Sequence, residues 1–386
     1  PDSDKLAFSA IIQVDMDGAI TGYRFEKTVI RTKVRGIYSE VNEIFKGTAT
    51  QDLLDKYKPV MKGLMTAREM ASITKERSRR NGTMELESNE PKFILNEDGI
   101  CIDVQPRQTG ESEQMIEQLM VTANQAAAKL AEKEHLPFVY RVHENPKSLK
   151  IETLIELVSS LGLDFSGIKK ENPSTAEFAA ILDQAVGTPA QKIVSYQILR
   201  TMEKARYATD PLGHFGLALA DYCHYTSPIR RYPDTAIHRI LTAFVNKKGR
   251  NYINEHYATY AQDSATNSSE AEVKALVAER SAEDCYMAEY MTQHIGEQFD
   301  GIISGVTNRG LFVQLTNSVE GFVPIDTFVD SEFEFDGMMT QVDRLTGDKL
   351  TIGMPICIQV VAADVSSGRI DFMPASEVGK IIKENK

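Results

Sequence analysis

The apolar pattern of this sequence changes period near residue 296. Upstream, long stretches repeat their apolar residues every three or four positions, as helices do. Downstream the apolar residues come in short runs separated by glycine turns. Five such runs, 298–307, 311–315, 320–324, 355–362 and 369–372, predict a small closed barrel. A chain with this switch needs two kinds of core, one helix-rich and one all-β. The expected class is therefore α+β with a barrel at the C-terminal side.

The upstream part opens with a predicted hairpin, 5–14 and 20–30, around Asp15, Asp17 and Gly18. Asp15 and Asp17 are conceivable metal ligands, but Asp and Gly are what such a turn requires. A helix is predicted over 51–80, with Leu53, Leu54, Tyr57, Val60, Met61, Leu64 and Met65 as its core stripe. Asn81 and Gly82 stop it, and a second hairpin follows at 92–95 and 100–104. The next helix, 112–132, carries Glu117 and Asn124 seven positions apart, hence on one face. A carboxylate and an amide beside a buried stripe suit ribose hydroxyls and a phosphate; they equally suit nearby backbone groups. Further helices are predicted at 150–161, 175–185, 189–206 (opened by Pro189) and 251–294.

Between them lies the stretch 214–241. Phe215 to Leu219 reads as a buried strand. Ser227 is a suitable N-cap and Pro228 a suitable first helical residue, which would put Arg230 and Arg231 in the first turn. Cations are disfavoured there unless an anion joins them, so the arrangement suits a phosphate. Pairing with carboxylates is the competing reading in an acidic chain. Pro233 predicts a kink or restart, with a second helical piece over 234–244.

The chain is long enough for two or three domains, with no apolar run that spans a membrane and no signal peptide. Cys101, Cys223, Cys285 and Cys357 lack paired spacing, which argues against a zinc site or disulfide framework and fits a reducing cytoplasm. A net charge of -12 opposes general attraction to nucleic acid. Any RNA-binding surface must concentrate its basic groups locally, as at 75–80 and 230–231.

The run HFGLAL, then YTSPIRRYPD and HR, resembles the signature of the RNB-domain exoribonucleases, the ribonuclease II and ribonuclease R family, and is most like the ribonuclease R branch. The resemblance extends backward through 199–207 and 137–144. The segment 305–313 with 320–323 is similar to the S1 RNA-binding domain, an OB-fold, although Pro324 stands near a common histidine position. The resemblance implies a Mg²⁺-dependent, processive hydrolase of single-stranded RNA. Such an enzyme works from the 3′ end and releases 5′-mononucleotides. It implies that Arg230 stabilises the transition state and Glu279 lines the active cavity. Tyr38 and Glu117 would recognise the ribose, with Asn124 in the cavity and Arg231 on a phosphate or a structural partner. Arg309, Phe312 and Phe322 would hold RNA on the barrel. The aromatic clamp that precedes the second hairpin in the family is replaced here by Glu85, Leu86 and Glu87.

The family's metal-binding run, D-x-x-x-x-x-D-x-D-D, is not found, and Asp15/Asp17 and Glu332/Glu334/Asp336 lack its spacing. The expectation is a later portion of a longer polypeptide, inactive alone, with its Mg²⁺ ligands upstream. Expected domains are 1–293 (RNB, N-terminally incomplete), 294–375 (S1) and a polar tail at 376–386, in a cytoplasmic monomer. The alternative is a non-catalytic RNA-binding protein on a degenerate RNB scaffold with an S1 domain.

Overall fold

The computed structural model describes residues 1–84, 90–164, 167–188, 190–337 and 339–376. The chain divides into two compact units. The first comprises Pro1–Glu85, Thr109–Ile181 and Arg200–Glu272; the second comprises Leu86–Gln108, Leu182–Leu199 and Val273–Lys386.

The first unit begins with the expected hairpin, β1 (Asp4–Val14) and β2 (Ile20–Arg31). The Asp15 carboxylate closes its turn by accepting from the Asp17 and Ala19 N–H groups, at 3.0 and 2.8 Å. Three helices follow: α1 (Tyr38–Lys46), α2 (Gln51–Tyr57) and α3 (Met61–Arg80). The single helix expected over 51–80 is two, because Pro59 interrupts it. Their cluster of Val41, Ile44, Phe45, Tyr57 and Ala71 is completed by Met115, with most of the expected stripe packed on it. Met65 is the exception, being exposed.

The second hairpin, β3 (Pro91–Leu95) and β4 (Cys101–Pro106), matches expectation and belongs to the second unit. Phe93 packs on Tyr286, ring centroids 5.4 Å apart, as a core residue would. Glu85, Leu86 and Glu87 lie outside the described residues. Helix α4 (Glu111–Lys133) runs through the first unit's main core. Its Ala126, Ala127, Ala128 and Ala131 are fully buried, and these small side chains let other elements approach closely.

Strand β5 (Tyr140–Val142) comes next, then α5 (Ser148–Ser160), α6 (Thr175–Ala185) and α7 (Gln191–Thr201). The helix expected to reach 206 ends at Thr201; Arg206–Ala208 is instead β6, antiparallel to β5. Pro189, expected to open α7, lies outside the described residues. Helix α8 (Tyr232–Val245) buries Ala236, Ile237, Ile240 and Leu241 in the same core as α4. Helix α9 (Arg250–Met291) then runs from the first unit into the second.

The barrel of the second unit is closed, in the order β13-β14-β9-β8-β7. Its strands are β7 (Gln298–Thr307), β8 (Gly310–Leu315), β9 (Glu320–Pro324), β13 (Pro355–Asp364) and β14 (Arg369–Pro374). They match the five predicted runs. Gly321 is required because Phe372 fills the space where a Cβ would stand. A three-stranded sheet not foreseen from sequence, β10 (Phe333–Phe335), β11 (Thr340–Asp343) and β12 (Lys349–Thr351), is inserted between β9 and β13. The α+β class with a C-terminal OB-type barrel is therefore what the chain adopts.

Candidate functional site

Phe215 to Leu219 is not a strand. Phe215–Leu217 forms a 3-10 turn because two histidines take its N–H groups. Phe215 N–H donates to the His143 carbonyl at 2.8 Å and Gly216 N–H to His143 Nδ1 at 3.1 Å. Leu217 N–H donates to His214 Nδ1 at 3.3 Å. Polar bonds to two histidines that precede the run thus override its apolar pattern.

The arginine segment departs from expectation in the same way. No helix starts at Pro228. Residues 228–230 make one turn, with the Arg230 and Arg231 N–H groups both on the Ser227 carbonyl, at 3.2 and 3.1 Å. Arg231 is extended (φ -128°), and α8 starts after it, with Pro233 in its first turn. The restart at Tyr232 and Pro233 is as expected, but the arginines precede the helix. The organiser is Asp234, which is fully buried. One of its oxygens accepts from the Ser227 N–H at 2.6 Å and from Arg231 Nη2 at 2.8 Å.

The two arginines therefore differ. Arg231 is locked to Asp234, and its buried Nε has no protein hydrogen-bond partner. Arg230 is exposed beside the fully exposed Ile229, and among the described residues it makes no ion pair. A guanidinium fixed on a short loop and left unpaired is a ready phosphate ligand.

Behind the loop lies a tier of buried aromatic and cationic groups. Tyr207 and His224 share a hydrogen bond of 2.9 Å between the hydroxyl and Nδ1. Arg141 stacks over Tyr207 at 4.7 Å and pairs with Glu272 at 2.6 Å. Burial, then the guanidinium groups of Arg231, Arg141 and Arg230 along with His214, pushes His224 down to about 2. Burial, helped by His143 and Arg141, pushes His214 down to about 3. Both rings are neutral at pH 7, so the arginines carry the positive charge here. Burial also raises Tyr207 to about 12, so its hydroxyl stays protonated.

Asn124 is buried against this tier. Its amide oxygen accepts from the Tyr225 N–H at 2.8 Å and its nitrogen donates to the Tyr222 hydroxyl at 3.1 Å. Of its two expected uses, the backbone one is realised. Glu117, on the same helix, is exposed. Tyr38 begins α1, half exposed, and α1 packs on α4: Ser112 Oγ donates to the Tyr38 carbonyl at 3.1 Å, and Asn42 Nδ2 to Glu113 at 2.9 Å. The structure thus places Tyr38 and Glu117 on neighbouring helices. Glu279 is exposed on the part of α9 that belongs to the second unit.

On the barrel, Phe312 and Phe322 face each other across β8 and β9, centroids 5.2 Å apart, while their neighbours Leu311, Val313 and Val323 fill the interior. Gly305 leaves room for the Phe312 ring, 3.3 Å from where a Cβ would be. Arg309, in the β7–β8 turn, is exposed and makes no ion pair among the described residues. Aromatic rings and a guanidinium without an ion pair are the group types that stack unpaired bases and pair with a phosphate.

Among the described residues, no group of three or more His, Cys, Asp or Glu side chains is placed to hold a metal ion. The described residues therefore do not fit a Mg²⁺ site. None of the described helices is long and apolar enough to cross a membrane.

A family model described as the RNB domain matches residues 1–247, and one described as the S1 RNA binding domain matches 292–373. The chain belongs to the RNB family. Among curated RNB proteins, Ribonuclease R 1 of Lactococcus lactis is 33% identical over 96% of this chain and 45% of its own length. Ribonuclease R of Thermotoga maritima is 32% identical over 97% of this chain and 52% of its own. The chain spans about half the length of the curated relatives it matches. The apo form of Mycoplasma genitalium RNase R superposes with a TM-score of 0.90 at 27% identity, covering 97% of this chain and 58% of that one. Yeast Ssd1, a pseudonuclease, shares the fold at a TM-score of 0.57 and 18% identity, over 87% of this chain and 41% of that one.

Asp234 and Arg141 were not singled out from sequence. Asp234 had a usable signal, since it follows Arg231 by three positions at a helix start. Arg141 had none.

Proposed function

We propose that this chain grips single-stranded RNA and supplies the transition-state arginine of a 3′→5′ exoribonuclease that releases 5′-mononucleotides. The observation that carries this reading is Arg230, exposed and unpaired on a loop that buried Asp234 holds in shape. Phosphoryl transfer spreads negative charge over non-bridging oxygens, and a positioned guanidinium stabilises that charge as it develops. Arg231 holds the loop through Asp234, the structural-partner role that resemblance offers it beside a phosphate contact. Tyr38 and Glu117 recognise the ribose, whose 2′-hydroxyl distinguishes RNA from DNA. Asn124 acts one step back, fixing the 222–225 segment. Glu279 keeps the acidic role that family resemblance gives it. Phe312, Phe322 and Arg309 grip unpaired bases and a phosphate on the barrel.

The same reading divides the chain into an RNB domain (1–293), an S1 domain (294–375) and a tail (376–386), in a cytoplasmic monomer. RNB exoribonucleases generally use a divalent metal; Mg²⁺ is the ion proposed, and no ligand for it is assigned to this chain. The second reading is a non-catalytic RNA-binding protein, favoured by the lack of a carboxylate cluster among the described residues.

The test is incubation with 5′-labelled single-stranded RNA, with Mg²⁺ or with chelator, resolved on a sequencing gel. Metal-dependent shortening from the 3′ end supports hydrolysis. Binding without shortening is what a chain supplying the binding and channel portion of an exonuclease gives, and it fits the second reading as well. Absence of both overturns the two together.

A further inference from the structure

Helix α8 has a second face that the arginine loop does not use. Thr235, His238, Arg239, Thr242 and Asn246 recur at helical spacing opposite the buried Ala236, Ile237, Ile240 and Leu241. This stripe forms one wall of a cavity of about 400 Å³. Lys27 of β2, Lys248, Tyr252 and Tyr257 also line this open concavity. The volume falls within the roughly 300–1,000 Å³ range of small-molecule sites.

The lining is unusual for an acidic chain. It contains three cations and no carboxylate. Lys27, Arg239 and Lys248 make no ion pair within 4 Å among the described residues, whereas most of the first unit's other arginines do. They are held by rings instead. Arg239 Nη1 donates to the Tyr260 hydroxyl at 2.9 Å, and that hydroxyl lies 3.2 Å from the Tyr232 hydroxyl. Lys27 Nζ sits 3.9 Å over the Phe8 ring, and Lys248 Nζ lies 5.4 Å from the centre of Tyr252. Cation–π contacts orient an ammonium without neutralising it. The result is a fixed positive concavity with aromatic walls.

We infer that this cavity binds a nucleoside phosphate. Three uncompensated cations select a phosphate. The space exceeds what inorganic phosphate fills. The Tyr252 ring is already stacked on His256, centroids 3.9 Å apart, so contact with a base falls to the partly buried Tyr257 and to the Asn246 amide, which has no side-chain hydrogen bond among the described residues and offers both a donor and an acceptor. The nucleoside phosphate comes either free in solution or as the 5′-phosphorylated end of a strand. The inference stands apart from the nuclease reading, because AMP is a ligand here and not a substrate.

The experiment is calorimetric titration of the chain, in chelator, with AMP, adenosine, inorganic phosphate and a short oligoribonucleotide with or without a 5′-phosphate. AMP is expected to bind at least tenfold more tightly than adenosine or inorganic phosphate. Arg239→Gln with Lys248→Gln is expected to weaken AMP about tenfold for each cation removed. Lys248→Glu, at an exposed position past the end of α8, guards against misfolding of the double variant and is expected to weaken AMP at least tenfold. Tighter binding of AMP than of the phosphorylated oligonucleotide identifies the free mononucleotide; the reverse identifies a strand end. Adenosine or inorganic phosphate binding as well as AMP overturns the ligand class. AMP affinity unchanged in Lys248→Glu overturns the site.

Discussion

The arginine loop of the first unit and the Phe312–Phe322 face of the barrel are built by opposite means. The barrel face follows from strand alternation. Leu311 and Val313 point in, Phe312 points out, and the β8–β9 register puts Phe322 opposite it. Nothing distant is needed to aim those rings. The loop has no such local logic. Its shape depends on Asp234 accepting from Ser227 and Arg231, and its floor depends on His143, His214 and Asn124 taking or giving backbone and side-chain bonds. A face set by periodicity can lose a side chain and keep its backbone. A loop set by buried polar groups loses its shape with any one of them.

Asp234→Ala tests this contrast most severely. It leaves the Arg231 guanidinium without its carboxylate and the Ser227 N–H without its acceptor. Breaking a buried ion pair in this way costs about 3–5 kcal/mol, and urea unfolding should show a loss of that order. Asp234→Asn, which keeps an oxygen for the Ser227 N–H, should lose less. A cost below about 1 kcal/mol for the alanine variant would mean the loop is held by something else.

Arg230→Ala probes function at the same loop with little effect on stability, since Arg230 is exposed and unpaired. In whatever length of polypeptide shortens RNA, turnover should fall by about 10²–10³, the usual effect of removing one donor from a transition-state site. RNA affinity should change far less, because a contact made mainly in the transition state acts on rate. A loss confined to affinity would remove Arg230 from the chemistry and leave it as a binding residue.

Acidification attacks the tier behind the loop. Both His214 and His224 are lowered when folded, so the unfolded chain takes up their protons first, near pH 6.5. Stability contributed by the neutral rings is complete above pH 6.5 and falls as pH drops toward about 3 for His214 and about 2 for His224. At pH 5 each should cost about 2 kcal/mol relative to pH 7. Chemical unfolding at the two pH values measures this, and His224→Gln should flatten the dependence. Equal stability at pH 5 and pH 7 would show that the rings are not kept neutral by burial.

The same contrast explains which parts of the molecule were legible in the sequence. The β1–β2 and β3–β4 hairpins and the five barrel strands were readable because turn chemistry and alternation agree with the final fold. Phe215–Leu217 was misread because its apolar pattern is silent about His143, seventy-odd positions earlier, which takes two of its N–H groups. Ser227 and Pro228 look like a helix start, yet the Ser227 N–H goes to Asp234 and the helix begins four residues later. Pro59 and the early end of α7 show the same limit on a smaller scale. For the site, Arg230 and Arg231 were legible as a pair. Their division into one free and one locked guanidinium was not, because it depends on which residue is buried beside them.

Phe312→Ala has the smallest expected effect, and it separates the two designs cleanly. Phe312 is 38% exposed, and its main intramolecular partner is the Phe322 ring. Losing a cross-strand pair costs about 0.2–1 kcal/mol of stability, and the barrel interior of Leu311, Val313, Val323 and Phe372 is untouched. Base stacking lost from an RNA site costs about 1–3 kcal/mol of binding per base. Single-stranded RNA affinity should therefore fall by more than unfolding stability does, with the melting transition nearly unmoved. At the arginine loop the reverse order holds, since Asp234→Ala removes stability first and function with it. If Phe312→Ala instead unfolds the barrel and leaves RNA affinity unchanged in the molecules that remain folded, then Phe312 is a packing residue, and the alternation that places it outward serves the sheet alone.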